Sequence, residues 1–278
     1  MREWLGQISN ENAQAEYYLT DIVALAANDG APIATQQAKH NSEVTGINNR
    51  VQLAEVERLY QQRRAIEFME QGVTFLDPSR IDIRGDVQIG ADTVIDVNVI
   101  IQGPTKIGQQ CEIGANSVII NSELGDQIVV HPNTLIDQAK LHGAANVGPF
   151  ARLRPGTELQ ANVKIGNFVE TKNAKLAEGV KVNHLSYVGD ATVGKNTNIG
   201  AGVITCNYDG AYKHQTTIGE EVFVGSDCQL VAPVEIGDGA TIGAGSTITS
   251  KVDADHLAIS RSKQRQIAGW QRPRKKHS

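Results

Sequence analysis

At 278 residues, with a net charge of −5 and 21% charged residues, the chain has room for one large element and a smaller appendage, but no global basic field for nucleic acid or an anionic membrane. Aromatics at 5% against 27 glycines favour thin strands and tight corners over a bulky helical core. Cys111, Cys206 and Cys228 have neither an even count nor metal-ligand spacing, no stretch approaches the ~18 apolar residues of a membrane span, and no basic-then-apolar signal opens the chain, so a reducing, cytoplasmic setting is expected.

Residues 1–50 mix helix signals such as "AEYYLTDIVALAAND" with polar connections, too little for a domain of its own. The text "NNRVQLAEVERLYQQRRAIEFMEQ" then spaces Val51, Leu53, Val56, Leu59, Tyr60 and Ile66 among charges, which predicts a long amphipathic linker helix over 51–71. Gly72 ends it, and "DPSR" at 77–80 marks a turn into something different.

A period of six follows, assigned to 72–252, with a tail over 253–278. Ile89, Ile95, Ile101, Ile107, Ile113 and Ile119 are spaced without a slip, and after one-residue slips the ladder runs through Leu124, Leu141, Leu159 and Leu176 to Thr205, then from Ile218 to Ile248. Such a period predicts a mainly β solenoid. Short flats end at corners, each inward aliphatic residue stacks on its counterpart one coil along, and three rungs close a coil of about 18 residues rising roughly 4.8 Å. Roughly nine coils are expected.

Two features interrupt the monotony. Between Thr205 and Ile218 the ladder gains seven residues beyond its six, in a stretch holding "NYDGAYKHQ", and a polar loop inserted into a regular solenoid is a natural carrier of function. Arg154 and Lys172 are one coil apart on one face, where two stacked cations favour an anion, phosphate above all, unless Glu158 or Glu170 neutralises them. His184 lies on the adjoining flat with Tyr187 and Asn198 nearby, and an imidazole titrating near neutrality suits a general base.

The segments "GPFARLRPG" (148–156), "IGNFVETKNAKL" (165–176), "NHLSYVGDA" (183–191), "NIGAGVITCNYDGAYKH" (198–214), "VFVGSD" (222–227) and "AISR" (258–261) together resemble the acetyltransferase part of the GlmU family, bifunctional enzymes that join a glucosamine-1-phosphate N-acetyltransferase to an N-acetylglucosamine-1-phosphate uridylyltransferase. The resemblance implies a left-handed parallel β-helix of hexapeptide repeats, a homotrimer with sites between subunits, and a place in UDP-N-acetylglucosamine biosynthesis. It implies His184 as the base for the glucosamine amine, Glu170 orienting it, and Arg154, Lys172, Tyr187, Asn198 and Lys213 on glucosamine 1-phosphate. Ala201, Asn207, Tyr208, Ser226, Ala244 and Arg261 fall to the acetyl-CoA set, Asn207 and Tyr208 through the inserted loop. Residues 1–50 resemble only the end of a nucleotidyltransferase domain. Asn48 matches one of its Mg²⁺ ligands without the aspartate partner, so uridylyltransferase activity is expected to be absent.

Three other readings compete. One is a solenoid acyl-CoA transferase acting on a hydroxyl, and another a non-catalytic trimeric scaffold. In the third, histidines bind zinc as in solenoid carbonic anhydrases, but His131, His142, His184 and His214 do not share one phase of the repeat. Cys206, beside the inserted loop, either reacts with thiol reagents or packs as a small apolar residue. Trp270 and the basic "RPRKK" at 272–276 either meet an anionic coenzyme or solvate the C-terminus, the second being preferred for the tail.

Overall fold

A computed structural model describes residues 1–273; the last basic residues of the tail lie outside the described residues. The chain divides into two compact units, Met1–Val56 and the remainder from Glu57. In the first, helices Arg2–Leu5 and Asp21–Asn28 and a 3₁₀ turn at Asn41–Glu43 bury only Ala26, and Trp4 Nε1 donates to Asp29 Oδ2 at 2.7 Å. So little buried surface gives it no core of its own.

The long helix spans Arg50–Glu70. Its buried residues are Gln61, Ala65 and Phe68, whereas Val51, Leu53, Leu59, Tyr60 and Ile66, the expected apolar face, are exposed. The reason is the open edge of the first coil, whose backbone groups need partners. Gln61 supplies them in the manner of a neighbouring strand: its Nε2 donates to Ile83 O at 3.1 Å and its Oε1 accepts from Ile83 N–H at 2.8 Å. Arg58 adds bonds to Ser79 O and Ile81 O and an ion pair with Asp82. Hydrogen bonding, not the apolar stripe, selects the face.

From Thr74 onward every paired strand is parallel, and one flat stacks 11 short strands, one per coil. The ladder residues from Ile89 to Ile248 are all buried; even Thr171 and Thr205 keep their inward places at 0% and 1% exposure. This is the expected mainly β solenoid, whose hexapeptide repeats fit a left-handed β-helix. Pairing continues past 252 to Leu257–Ala258, which bonds to Thr241–Ile242, so the coil ends later than the apolar period suggests. Cys111 and Cys228 are buried in the stack.

Each coil turns at corners with left-handed backbone. One corner column runs Asn98, Asn116, Asn133, Phe150, Phe168, Leu185, with φ between 43° and 60°. Asn tolerates this conformation and ladders along it, Asn98 Nδ2 donating to Asn116 Oδ1 at 3.0 Å. Phe and Leu do not favour it, yet Phe150, Phe168 and Leu185 are 51%, 57% and 63% exposed. The flats differ as well. On one, Lys106, Glu123, Lys140, Glu158 and Lys175 alternate in register, a solvated charge ladder. No helix among the described residues is long and apolar enough to cross a membrane.

Gln61→Leu keeps the bulk of the side chain but leaves Ile83 N–H and C=O without partners. The expected cost is about 1–3 kcal/mol, read as a lower denaturant midpoint; an unchanged midpoint would show that water replaces the glutamine.

Candidate active site

His184 ends strand Lys181–His184, immediately before the left-handed corner residue Leu185. In register, Asn167 lies opposite it one coil earlier. Counting two residues on from the pairs Val182–Ile199, Ile199–Val224 and Val224–Ile242 places Ala201, Ser226 and Ala244 in the same column on later coils. Arg261 closes the column, its Nη1 donating to Ala244 O at 2.5 Å. His184, the expected base, and the expected coenzyme contacts therefore stand in one line along one corner. Gly200 lets the coils approach here, since a Cβ would lie 2.7 Å from Gly225 C.

The imidazole is exposed and oriented, with Nδ1 2.9 Å from Asn167 Oδ1. With that oxygen accepting, Nδ1 carries the proton and Nε2 keeps its lone pair for a substrate. Asn167 is absent from the expected site, although its position one coil before His184 is a signal the repeat contains. Beside it opens a depression of about 520 Å³ lined by Gly148, Pro149, Phe150, Gly166, Asn167, Phe168, Asn183 and His184, with the Phe150 and Phe168 rings stacked at 5.5 Å.

The next flat carries Glu170 and Tyr187 in register and ends at a second corner, where the cations gather. Arg154 does not stand unpaired over Lys172: its Nη1 donates to Glu170 Oε1 at 2.6 Å, and Arg152 approaches the same carboxylate at 3.9 Å. Glu170 thus serves Arg154 in this chain, and the expected contact with His184 is made by Asn167 instead. Glu170 sits between the two arginines across the rungs, while His184 lies around the preceding corner. Lys172 faces Lys213 from the inserted loop, and that ammonium, with lesser contributions from desolvation and Arg154 and against Asp190, lowers the Lys172 pKa. Two ammonium groups pressed together are a receptor for an anion.

Within the loop, Tyr208 and Lys213 form an antiparallel bridge, His214 N–H donates to Asn207 O at 2.8 Å, and Asp209 Oδ1 accepts from Ala211 N–H and Tyr212 N–H. His214 Nε2 lies 2.7 Å from Asp209 Oδ2, and these bonds hold the exposed Asp209 carboxyl well below the usual range. Tyr187 lies back along its flat, because a Cβ on Gly189 would meet its hydroxyl at 2.3 Å, and Asn207 Nδ2 donates to that hydroxyl at 3.4 Å.

Within one chain, Arg154, Lys172, Lys213, Tyr187 and Asn207 therefore come together, while His184 heads the other column with Ala201, Ser226, Ala244 and Arg261. At roughly 3.3 Å per residue, the five-residue flat between the columns sets them about 15 Å apart. Asn207 and Tyr208 sit on the cation side, not in the Ala201 column, and Tyr208 is exposed with its hydroxyl on Gly210 O at 2.6 Å. Asn198 follows Lys181 in register on the flat that ends at the base. Cys206 is half-buried, and burial pushes its thiol up, which suits packing better than reactivity. Asn48 is exposed, its N–H donating to Gln52 Oε1, and no group of three His, Cys, Asp or Glu side chains among the described residues is placed to hold a metal.

Comparison with known proteins adds a sequence relationship. The hexapeptide family of bacterial transferases (six repeats) matches residues 86–121 and 215–250. Two curated relatives named bifunctional protein GlmU, from Marinobacter nauticus and Stutzerimonas stutzeri, are 54% and 56% identical over 99% of this chain. Along nearly its whole length, this chain is similar in sequence to proteins named GlmU. It spans 61% of the length of each of those proteins. The solved UDP-N-acetylglucosamine acyltransferase from Campylobacter jejuni is similar at 17% identity and a TM-score of 0.44, over 65% of this chain and 70% of that one.

Removing Lys213 should release Lys172. In Lys213→Ala the Lys172 pKa is expected to rise toward the ordinary ~10.4, as followed by the lysine ε-carbon shift against pH. Inorganic phosphate added to the unaltered protein is expected to raise it likewise. A Lys172 titration indifferent to both would separate the two side chains.

Asp209 gives a second titration. Its folded pKa is depressed, so the stabilisation it lends the loop is full above the unfolded value near ~4 and is lost as pH falls through the lower folded value. The Asp209 carboxyl carbon is expected to hold its ionised shift below pH 4, and Asp209→Ala to speed proteolysis of the loop at neutral pH; a carboxyl titrating in the ordinary range would remove the depression.

Proposed function

We propose that the chain transfers acetyl from acetyl-CoA to the amine of glucosamine 1-phosphate, giving N-acetylglucosamine 1-phosphate in the cytoplasmic formation of UDP-N-acetylglucosamine. The observation that carries the proposal is the single corner column that begins at His184, a base with a free Nε2, runs through Ala201, Ser226 and Ala244 on successive coils and ends at Arg261, whose charge suits the phosphates of a coenzyme. A thioester held along this column brings its carbonyl to the imidazole.

The chemistry follows from these positions. The amine lone pair attacks the thioester carbonyl, Nε2 of His184 takes the proton the nitrogen loses, and the C–S bond breaks as the tetrahedral intermediate collapses, returning a proton to the thiolate. Asn167 keeps the ring in the tautomer that can do this. Lys172, Lys213 and Arg154 receive the sugar phosphate, with Tyr187 and Asn198 on the sugar. Glu170 tempers the arginines so that the cluster, four cations with Arg152 against Glu170 and Asp190, keeps two positive charges in excess.

A homotrimer reconciles the two columns. A sugar phosphate is shorter than the flat that divides them, so a site assembled from facing edges of two subunits brings base and cations to one substrate. Phe150, Phe168 and Leu185, exposed in backbone that disfavours them, support burial of that corner against a second copy.

Free thiol release from acetyl-CoA with glucosamine 1-phosphate, run beside glucosamine lacking the phosphate, tests the proposal. Release that needs the phosphate is expected, and none with either amino sugar would sink it. His184→Ala is expected to lower kcat by ~10²–10⁴ with little change in KM. Arg154→Ala mainly raises KM for the phosphorylated sugar, because it leaves Glu170 uncompensated beside the phosphate. An unchanged rate for the His184 variant would remove it as base.

A further inference from the structure

One carboxylate beside the cations enters the charge balance above but has been given no structural role. Asp190 occupies the second corner column between Asn173 and Asn207, seventeen residues from each. Both of its oxygens are engaged: Oδ1 accepts from Asn173 Nδ2 at 2.6 Å and Oδ2 accepts from Asn207 Nδ2. Its backbone is left-handed, φ 46°, as are those of Gly156 and Asn173 on the preceding coils. Gly or Asn would satisfy that corner, so the backbone alone does not call for a carboxylate.

Asn207 is where the inserted loop leaves the solenoid, and His214, which bonds back to Asn207 O, is where the loop's bridge closes. The bonds of Asp209 give the loop its shape but do not attach it to the coil. Attachment comes from Asn207 at the exit, bonded to Asp190 and, at a longer 3.4 Å, to the Tyr187 hydroxyl, and, on the return side, from Gln215 Nε2 donating to Thr192 Oγ1 at 3.1 Å. Lys213 meanwhile faces another ammonium, Lys172, so the loop is held where charge repulsion pushes it away. A charge-assisted bond at the loop's root opposes that push.

We infer that Asp190 is the latch of the inserted loop: by fixing Asn207 to the coil it presents Lys213 beside Lys172, and so acts as a positioning residue for the anionic end of the acceptor. The consequence for substrate rests on the acetyl transfer proposed above; the latch does not.

The test uses the full chain with Asp190→Gly, which keeps the left-handed corner unstrained while removing both bonds, and Asp190→Asn, which keeps the shape and regains the bonds through amide flips of its neighbours. Tryptic cleavage after Lys213 under native conditions and the kinetic constants for glucosamine 1-phosphate are read together. For Asp190→Gly, cleavage at least tenfold faster and KM for the phosphorylated sugar at least tenfold higher are expected, with kcat changed less than threefold and KM for acetyl-CoA unmoved. Asp190→Asn should restore most of the protection.

Asp190→Gly with unaltered cleavage overturns the latch, whatever happens to KM. Faster cleavage with an unaltered sugar KM overturns the positioning role. If the unaltered protein does not turn over glucosamine 1-phosphate, the functional reading fails and the cleavage rates still decide the latch. Should Asp190→Gly not fold, Asn207→Ala removes the same bond from the loop side and is read by the same cleavage.

Discussion

The stack of inward side chains at the strand-pairing distance is the constraint on which everything else hangs. Because each rung's aliphatic residue sits on the one beneath it, every outward position is also fixed relative to its counterparts on neighbouring coils. Columns of function follow from columns of core. His184 bonds Asn167 and shares a column with Ala201 and Ser226 because Val182, Ile199 and Val224 are stacked behind them. A one-residue slip in the period costs the core little, since the corners absorb it, but it decides which residue stands next to which on the surface.

The solenoid separates tasks by edge. One corner column holds His184 and Arg261; the next holds the cations and gives rise to the long insertion of the repeat. Placing the insertion at a corner leaves the strand ladder whole on either side, Tyr187 pairing with Ile204 before it and Ala191 with Thr216 after it. The loop pays for its charge crowding locally, through Asp209 within and Asp190 at its root. Lys213 lowers the pKa of Lys172, and an anion between two such ammonium groups would relieve their repulsion.

The two ends of the coil show different solutions to the same difficulty. At the start, Gln61 imitates a strand with its side-chain amide, and the helix turns a polar face inward to do so. At the end, pairing simply runs on to Leu257–Ala258 until the chain leaves the sheet. Hydrophobic patterning describes neither end, since an open sheet edge asks for donors and acceptors before it asks for apolar area.

The sequence by itself determined the solenoid, because a six-residue period is visible in one dimension and burial follows it residue by residue, Ile95 and Ile242 included. It also placed Arg154 over Lys172, since one coil is a fixed count. Tertiary structure alone decided the partners: Glu170 turning to Arg154, Asn167 taking the imidazole, Asp190 holding Asn207, Gln61 rather than Leu59 facing the coil. Periodicity fixes where a side chain starts. Which of several neighbours it bonds depends on distances of a few ångströms around corners, and those exist only once the coils are stacked.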